Sequence, residues 1–373
     1  MKATCSLLLY LIVLVSLTGK SSAQTNERSP PKYKDFAFDG KQIVVLTNTG
    51  TLTFFDVKSR QSDTSLDIDA PVVAVTIDKK GSVVVGDTNH LIKSYDTQQK
   101  AWHVLAQFSG KLTSILFNSQ NQCFLVTNKG VVDPTTDITY FPDSSFSKNR
   151  QLRHTGNWFT PPVCYIDRED KLWLGFDHGE WGGDLFVFDT HKRTFVPVQT
   201  EFNFELNPID GFCEDQKNVY ASGGLSHMSM THGSVIKFEA GVGSAILVSQ
   251  DRETPVKLEL EDPKTGKKRI RTAITWTGGH QIGPIAYNPV NNCLYFYSQY
   301  GFYKGDLKTG LSDLKRWENI LKPNLRWTAG RSNAVGSSIN VLKMQFTTDG
   351  TLFFLAEYEG LGVYDGKDLS FLH

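Results

Sequence analysis

The sequence predicts an all-β chain folded as a β-propeller of seven four-stranded blades, with six or eight blades as the alternatives. Three observations carry this reading. An apolar run, an Asp or Asn, a short polar stretch and a second apolar run recur seven times. With Asp39, Asp78, Asn118, Asp167, Glu214, Asn288 and Thr348 taken as equivalent, the copies lie 39, 40, 49, 47, 74 and 60 residues apart, the spacing of propeller blades. Helix signals are scarce, Leu311 to Leu321 offering one turn or two. A single blade cannot bury both faces of its sheet. Each large apolar side chain taken out of water contributes roughly 1.5–3 kcal/mol, so only a ring of stacked blades offsets the entropy of ordering the chain.

Residues 1–23 are predicted to lie outside the ring as a secretory signal peptide. Lys2 supplies a basic start, Leu7 to Leu17 an apolar run, and Ser21-Ser22-Ala23 a small-residue cleavage site. The run is shorter than the roughly 20 residues of a spanning helix, so the expected product is secreted or periplasmic, with no membrane insertion after cleavage. Residues 24–32, with Ser29-Pro30-Pro31, read as an extended leader, and residues 33–373 as one propeller domain.

The copies are legible strand by strand. The first runs from Phe36 to Asp39, Ile43 to Leu46 and Leu52 to Asp56; the second from Val73 to Asp78, Val83 to Gly86 and Ile92 to Asp96. The third takes Ser114 to Asn118, Phe124 to Val126 and Val131 to Asp133. The fourth is the clearest, with Val163 to Asp167, Leu172 to Gly175 and Leu185 to Asp189. The fifth uses Ile209 to Glu214, Val219 to Ala221 and Val235 to Phe238. The sixth uses Ile285 to Asn288, Leu294 to Tyr297 and Gly301 to Tyr303, and the last Val341 to Thr348, Leu352 to Leu355 and Leu361 to Asp365. Every blade is then continuous in sequence, and the ring closes by packing unless residues 24–32 add a strand. The repeated Asp39, Asp78 and Asp167 are turn formers that accept backbone N–H groups in a tight bend.

Residues of about 254–276 form an insertion in the fifth copy. Val256 to Leu260 and Arg269 to Trp276 alternate at period two around Asp262-Pro263-Lys264-Thr265-Gly266, which predicts a β-hairpin. Glu259 and Glu261 on one arm face Lys267, Lys268, Arg269 and Arg271 on the other, so cross-strand pairing accounts for their charges.

Composition narrows the partners. Lys plus Arg and Asp plus Glu number 39 each, so no basic field exists to attract nucleic acid or anionic lipid. Of the five cysteines, Cys5 belongs to the expected signal peptide, and Cys123, Cys164, Cys213 and Cys293 form no C-x-x-C pair. They read as buried thiols packing as small hydrophobes. A Cys164–Cys213 link requires the inner strands of adjacent blades to approach closely.

In a propeller, the loops between blades and the loops between second and third strands share one face. Here they are short in the first three blades and long in the last four. The long ones are Arg153 to Pro162, Phe176 to Asp184, Gly223 to Gly233, Trp276 to Gly283 and Arg326 to Asn333, which hold five of the nine histidines and four of the seven tryptophans. A single such histidine or tryptophan is ordinary loop or gap-filling material; a converging set is a site. The leading expectation is a non-enzymatic ligand-binding rim over blades four to seven, taking a small-molecule, carbohydrate or protein ligand without a cofactor. Its contacts are Trp158, His178, Glu180, Trp181, His232, His280, Gln281, Trp327 and Arg331, with indoles stacking on flat ligands. The alternative is a metal-dependent lyase or hydrolase with His154, His178, His227, His232 and His280 as ligands to a divalent metal and Glu180 or a histidine as base. A purely structural or protein-interaction ring is a third option. No nucleophile elbow, P-loop or dinucleotide fingerprint is present, and Gly241-Val242-Gly243 lacks a following helix pattern.

Asp167-Arg168-Glu169-Asp170-Lys171-Leu172-Trp173-Leu174-Gly175, followed by Gly183-Asp184-Leu185-Phe186-Val187-Phe188-Asp189, resembles the repeat of bacterial two-component-regulator-type β-propellers. Phe176 stands where that pattern has Thr, and Asp177 to Gly182 is longer than usual. The resemblance covers about two dozen residues and implies a propeller fold and a periplasmic sensing role. With no kinase region after the repeats, ligand binding is the part expected to carry over.

Overall fold

A blade forms here because β-branched and aromatic residues alternate over runs of five or six positions between Asp-centred turns. The computed structural model describes residues 33–63, 66–143, 158, 160–203, 207–227, 230–325 and 339–372; the expected signal peptide and leader lie outside them. Seven four-stranded antiparallel blades, each with its strands in sequence order, occupy residues 33–63, 72–107, 112–140, 163–196, 211–250, 282–321 and 341–372. The two-residue strand Gln199–Thr200 adds in parallel to the outer strand of blade five. No helix among the described residues is long and apolar enough to cross a membrane; Leu314–Arg316 makes one 3-10 turn, capped by the Asp313 carboxylate.

Both bends on one face of the ring are built on Asx caps. Between first and second strands, Asp39 Oδ1 accepts from the amides of Lys41 and Gln42, Asp78 Oδ1 from Lys80 and Ser82, and Asp167 Oδ1 from Glu169 and Lys171, all at 2.8–2.9 Å. Between third and fourth strands, Asp56, Asp96, Asp189 and Asp365 do the same. This explains the recurring aromatic-Asp pair. The phase differs by one residue in two blades: the capping groups are Asp215, whose Oδ1 takes the amides of Lys217 and Asn218, and Thr347, whose Oγ1 takes that of Thr351. Glu214 instead ends the inner strand, and its carboxylate takes the Arg168 side chain.

The core consists of seven apolar layers, one at each junction between blades. Phe124 of blade three meets Phe188 of blade four at 6.0 Å, Trp173 of blade four meets Phe238 of blade five at 4.8 Å, and Phe302 meets Phe354 across blades six and seven at 4.8 Å. The closing layer joins Tyr33, Phe36 and Val45 of blade one to Phe353, Leu361 and Leu372 of blade seven. Each of these two blades is built from its own continuous sequence, so packing closes the ring among the described residues. A salt bridge, Lys343 to Asp35 at 2.8 Å, reinforces it.

The insertion is a hairpin, Arg252–Glu261 paired with Lys268–Thr277 as a separate two-stranded sheet beyond the outer strand of blade five. Lys268 and Glu259 pair at 2.6 Å, and most of its side chains face solvent. The four described cysteines are free thiols, with no Cys164–Cys213 bond. Burial pushes their pKa values up, that of Cys123 to about 12, so they carry little thiolate at neutral pH.

Candidate functional site at the channel mouth

The seven inner strands surround a central cavity of about 510 Å³. Above it, on the face of the long loops, opens a second cavity of about 460 Å³, with described walls from blades four to seven alone. Its apolar part comes from Ile209, Pro284, Ile339, Val341 and Leu342. Its polar part is Asp177 at the end of the second strand of blade four, Asp210 at the start of blade five, Ser226 on the rim of blade five and Gln281 ahead of blade six.

Glycines bring these loops together. A Cβ at Gly223 would lie 1.7 Å from the Pro208 carbonyl oxygen, and one at Gly279 2.0 Å from that of Thr231. Only bare backbone allows the tall hairpin of blade five, Val219–His227 with Met230–Glu239, to pass so close to the segments leading into blades five and six. Asp251 then ties the two loops, its carboxylate accepting from the amides of Thr231 and Gly279, each at 2.6 Å.

Two polar groups at the cavity are not balanced within the protein. Gln281 directs Nε2 at the Gly224 carbonyl at 3.5 Å, while its buried Oε1 has no hydrogen-bond partner. Asp210 faces the lumen but lies deep in the ring. Burial pushes its carboxyl well above the usual carboxylate range, the charge of Asp177 pushes it further, and a hydrogen bond from the Gly224 backbone opposes both. Asp177 Oδ1 accepts from the Gly179 amide at 2.7 Å. Asp210 carried no motif in the sequence, where it fell inside the expected strand Ile209 to Glu214; the structure starts that strand at Gly211 and leaves Asp210 at the mouth.

The sequence-predicted residues that are described take different places. Gln281 lines the cavity. Trp181 is 57 % exposed on the 3-10 turn Gly179–Trp181, and Glu180 beside it pairs with His227 Nδ1 at 3.4 Å, joining the loops of blades four and five. His178 is 8 % exposed; its Nε2 lies 3.3 Å from Asp184 Oδ2 and its Nδ1 3.1 Å from Thr160 Oγ1, so it fastens the loop ahead of blade four to the blade. Trp158 is buried against Phe141 and Phe176 with ring centroids 5.4 and 5.3 Å away. His232 Nδ1 meets Asn207 Oδ1 at 3.2 Å, and burial lowers its pKa. His280 packs on Tyr300 at 4.6 Å and Tyr303 at 5.3 Å; burial lowers its pKa to about 4, which keeps the ring neutral. His154, Trp327 and Arg331 lie outside the described residues. Among the described residues no three His, Cys, Asp or Glu side chains are grouped to hold a metal ion.

Compared by sequence, the chain matches no family model and no curated protein. Its likeness to solved structures is one of fold. It superposes on Kuenenia stuttgartiensis hydrazine synthase with a TM-score of 0.55 and 12% identity, over 92% of this chain and 98% of that one. With U3-55K the TM-score is 0.51 at 11% identity, over 85% of each chain. The extracellular domain of the putative hybrid two component system BT4673 from B. thetaiotaomicron gives 0.51 at 13% identity, over 91% of this chain and 38% of that one. All three identities lie in the range where shared architecture says nothing about shared activity.

Proposed function

We propose that this is an exported propeller that binds a small ligand in the mouth cavity between blades four and seven. Gln281 carries the reading. A buried side-chain carbonyl without a partner costs roughly 1–3 kcal/mol, and here it belongs to a residue lining a cavity within the size range of small-molecule sites, with apolar walls and few polar groups. Trp181, on the turn whose first residue Gly179 borders the cavity, offers an indole face at its lip. Trp158 and His178 support the loops from beneath.

Export rests on the signal-peptide pattern of residues 1–23 and accords with the extracellular placement of the BT4673 domain. The repeat of blade four supports a sensing role like that of two-component-regulator propellers, in which the ring captures a ligand.

Ligand-observed NMR of the purified chain against a fragment library tests the site. Hits are expected to weaken at least tenfold in Gln281→Ala, with the thermal unfolding midpoint within a few degrees of wild type. Hits that bind wild type and Gln281→Ala equally would place the site elsewhere.

A further inference from the structure

The polar groups of the mouth cavity are of one kind. Among its described lining residues are two carboxylates, Asp177 and Asp210, and no Lys, Arg or His. The Gln281 amide has its NH2 turned to the Gly224 carbonyl, so the oxygen is the part left over, and it is an acceptor. Ser226 shares its hydroxyl hydrogen bond with Thr231 at 3.0 Å. The cavity therefore presents acceptor oxygens, the Asp177 side chain and an Asp210 carboxyl that burial keeps protonated while the cavity is empty, with apolar walls from Ile209, Pro284 and Val341.

Ligand classes differ in how they meet that set. An anion has to enter beside Asp177 and would hold Asp210 in its protonated form, without a described counter-ion in the lining. A polyol brings as many acceptors as donors, and its own oxygens would face carboxylates. A bare divalent cation wants more oxygen ligands than two carboxylates and an amide supply, and no three-ligand cluster exists among the described residues. A protonated amine brings up to three N–H donors, no acceptor and one positive charge, and the carbon skeleton behind it suits the apolar wall.

We propose that the ligand of this cavity is a small organic ammonium ion, a primary amine on an apolar body, held by Asp177, Asp210 and the Gln281 side-chain oxygen. The proposal rests on the reading of the cavity as a ligand site. Burial beside Asp177 makes Asp210 costly to ionise in the empty cavity; a cation at hydrogen-bond distance offsets that cost for both carboxylates.

Three isosteric probes separate this proposal from the reading beneath it: benzylamine, benzyl alcohol and benzoate, titrated by calorimetry and ligand-observed NMR into the full chain at pH 7. Benzylamine is expected to bind at least tenfold more tightly than the other two. Asp177→Asn and Asp210→Asn, which keep side-chain shape, are each expected to reduce that affinity at least tenfold, Gln281→Leu several-fold, and Gln281→Glu not at all. Binding of the alcohol or benzoate as tight as that of the amine, sensitive to Gln281→Leu, overturns the ammonium proposal and leaves the cavity site standing. Amine binding indifferent to both Asp variants also overturns it, as does stoichiometric calcium or zinc binding that competes with benzylamine and is lost in Asp210→Asn. No binding of any probe overturns the cavity reading and the proposal together.

Discussion

Lys343 of the last blade donates to Asp35 Oδ1 of the first at 2.8 Å and to the neighbouring Phe36 carbonyl at 2.7 Å, so one ammonium spans the seam where the ring closes. Both side chains are part-exposed, and pairs of that kind contribute about 0–1 kcal/mol. The apolar layer beside them is sealed, with Phe36, Phe353 and Leu361 fully buried. Packing is the stronger bond between the chain ends. Lys343→Met is expected to cost under about 1 kcal/mol in urea unfolding and Leu361→Ala about 2–5 kcal/mol.

Gly223→Ala tests the close passage that builds the mouth. A methyl 1.7 Å from the Pro208 oxygen forces backbone apart at Ile209 and Asp210. The expected loss is about 1–3 kcal/mol or more in chemical unfolding, together with weakened ligand binding, because the displaced segment carries a cavity wall. Unchanged stability would show that the loops do not meet as described.

The hairpin of residues 252–277 is separable from the ring. Its strands pair only with each other, and at its base the Asp251 carboxylate accepts directly from the Gly279 amide and, on its other oxygen, from the Thr231 amide of blade five. Replacing it with a two-glycine link is expected to move the thermal midpoint by only a few degrees. A collapse of the cooperative transition would mean that blade five needs the hairpin to fold.

Acid should weaken the protein through His280. Its folded pKa, about 4, lies below the ordinary value of 6.5, so the unfolded state binds the proton more readily. Stability is complete above about pH 6.5 and is lost as pH falls towards 4. Discounted for the ring's partial exposure, the loss is about 1–2 kcal/mol. His280→Phe, which keeps a ring against Tyr300 and Tyr303, is expected to flatten the profile between those pH values.

Asp210 acts with the opposite sign. Its folded pKa is raised, so the native state holds a proton that the unfolded chain gives up above about pH 4. Stability contributed by this group is present at lower pH and is lost as pH climbs towards the raised value. Asp210→Asn should therefore gain stability relative to wild type on going from pH 4 to pH 8, measured as the difference in unfolding midpoints. A parallel pair of profiles would mean that Asp210 ionises normally.

The blades were legible because their information is local. Runs such as Leu172 to Gly175 state a strand by composition, and Asp167 states a turn because its carboxylate reaches amides two and four residues on. The one-residue slip at Asp215 and Thr347 arose where a neighbouring Glu or Thr offered a similar side chain in the same stretch. The rim loops, too, announced themselves by length and by their Trp and His content.

What each rim residue does was set elsewhere. Trp158 and His178 look alike in sequence to Trp181 and His227, yet the first two are buried supports, whereas Trp181 is exposed and the part-exposed His227 pairs with Glu180. The sequence by itself determined the repeat, the strands, the hairpin and the half of the ring that carries the long loops, since all of these depend on neighbours along the chain. Only tertiary structure decided that Asp177, Asp210 and Gln281 share one cavity, and that Gln281 is left without a partner there. Residues 104 positions apart in sequence share one cavity because seven wedge-shaped layers close a circle, and the burial and like charge that set the chemistry of Asp210 exist only once it has closed.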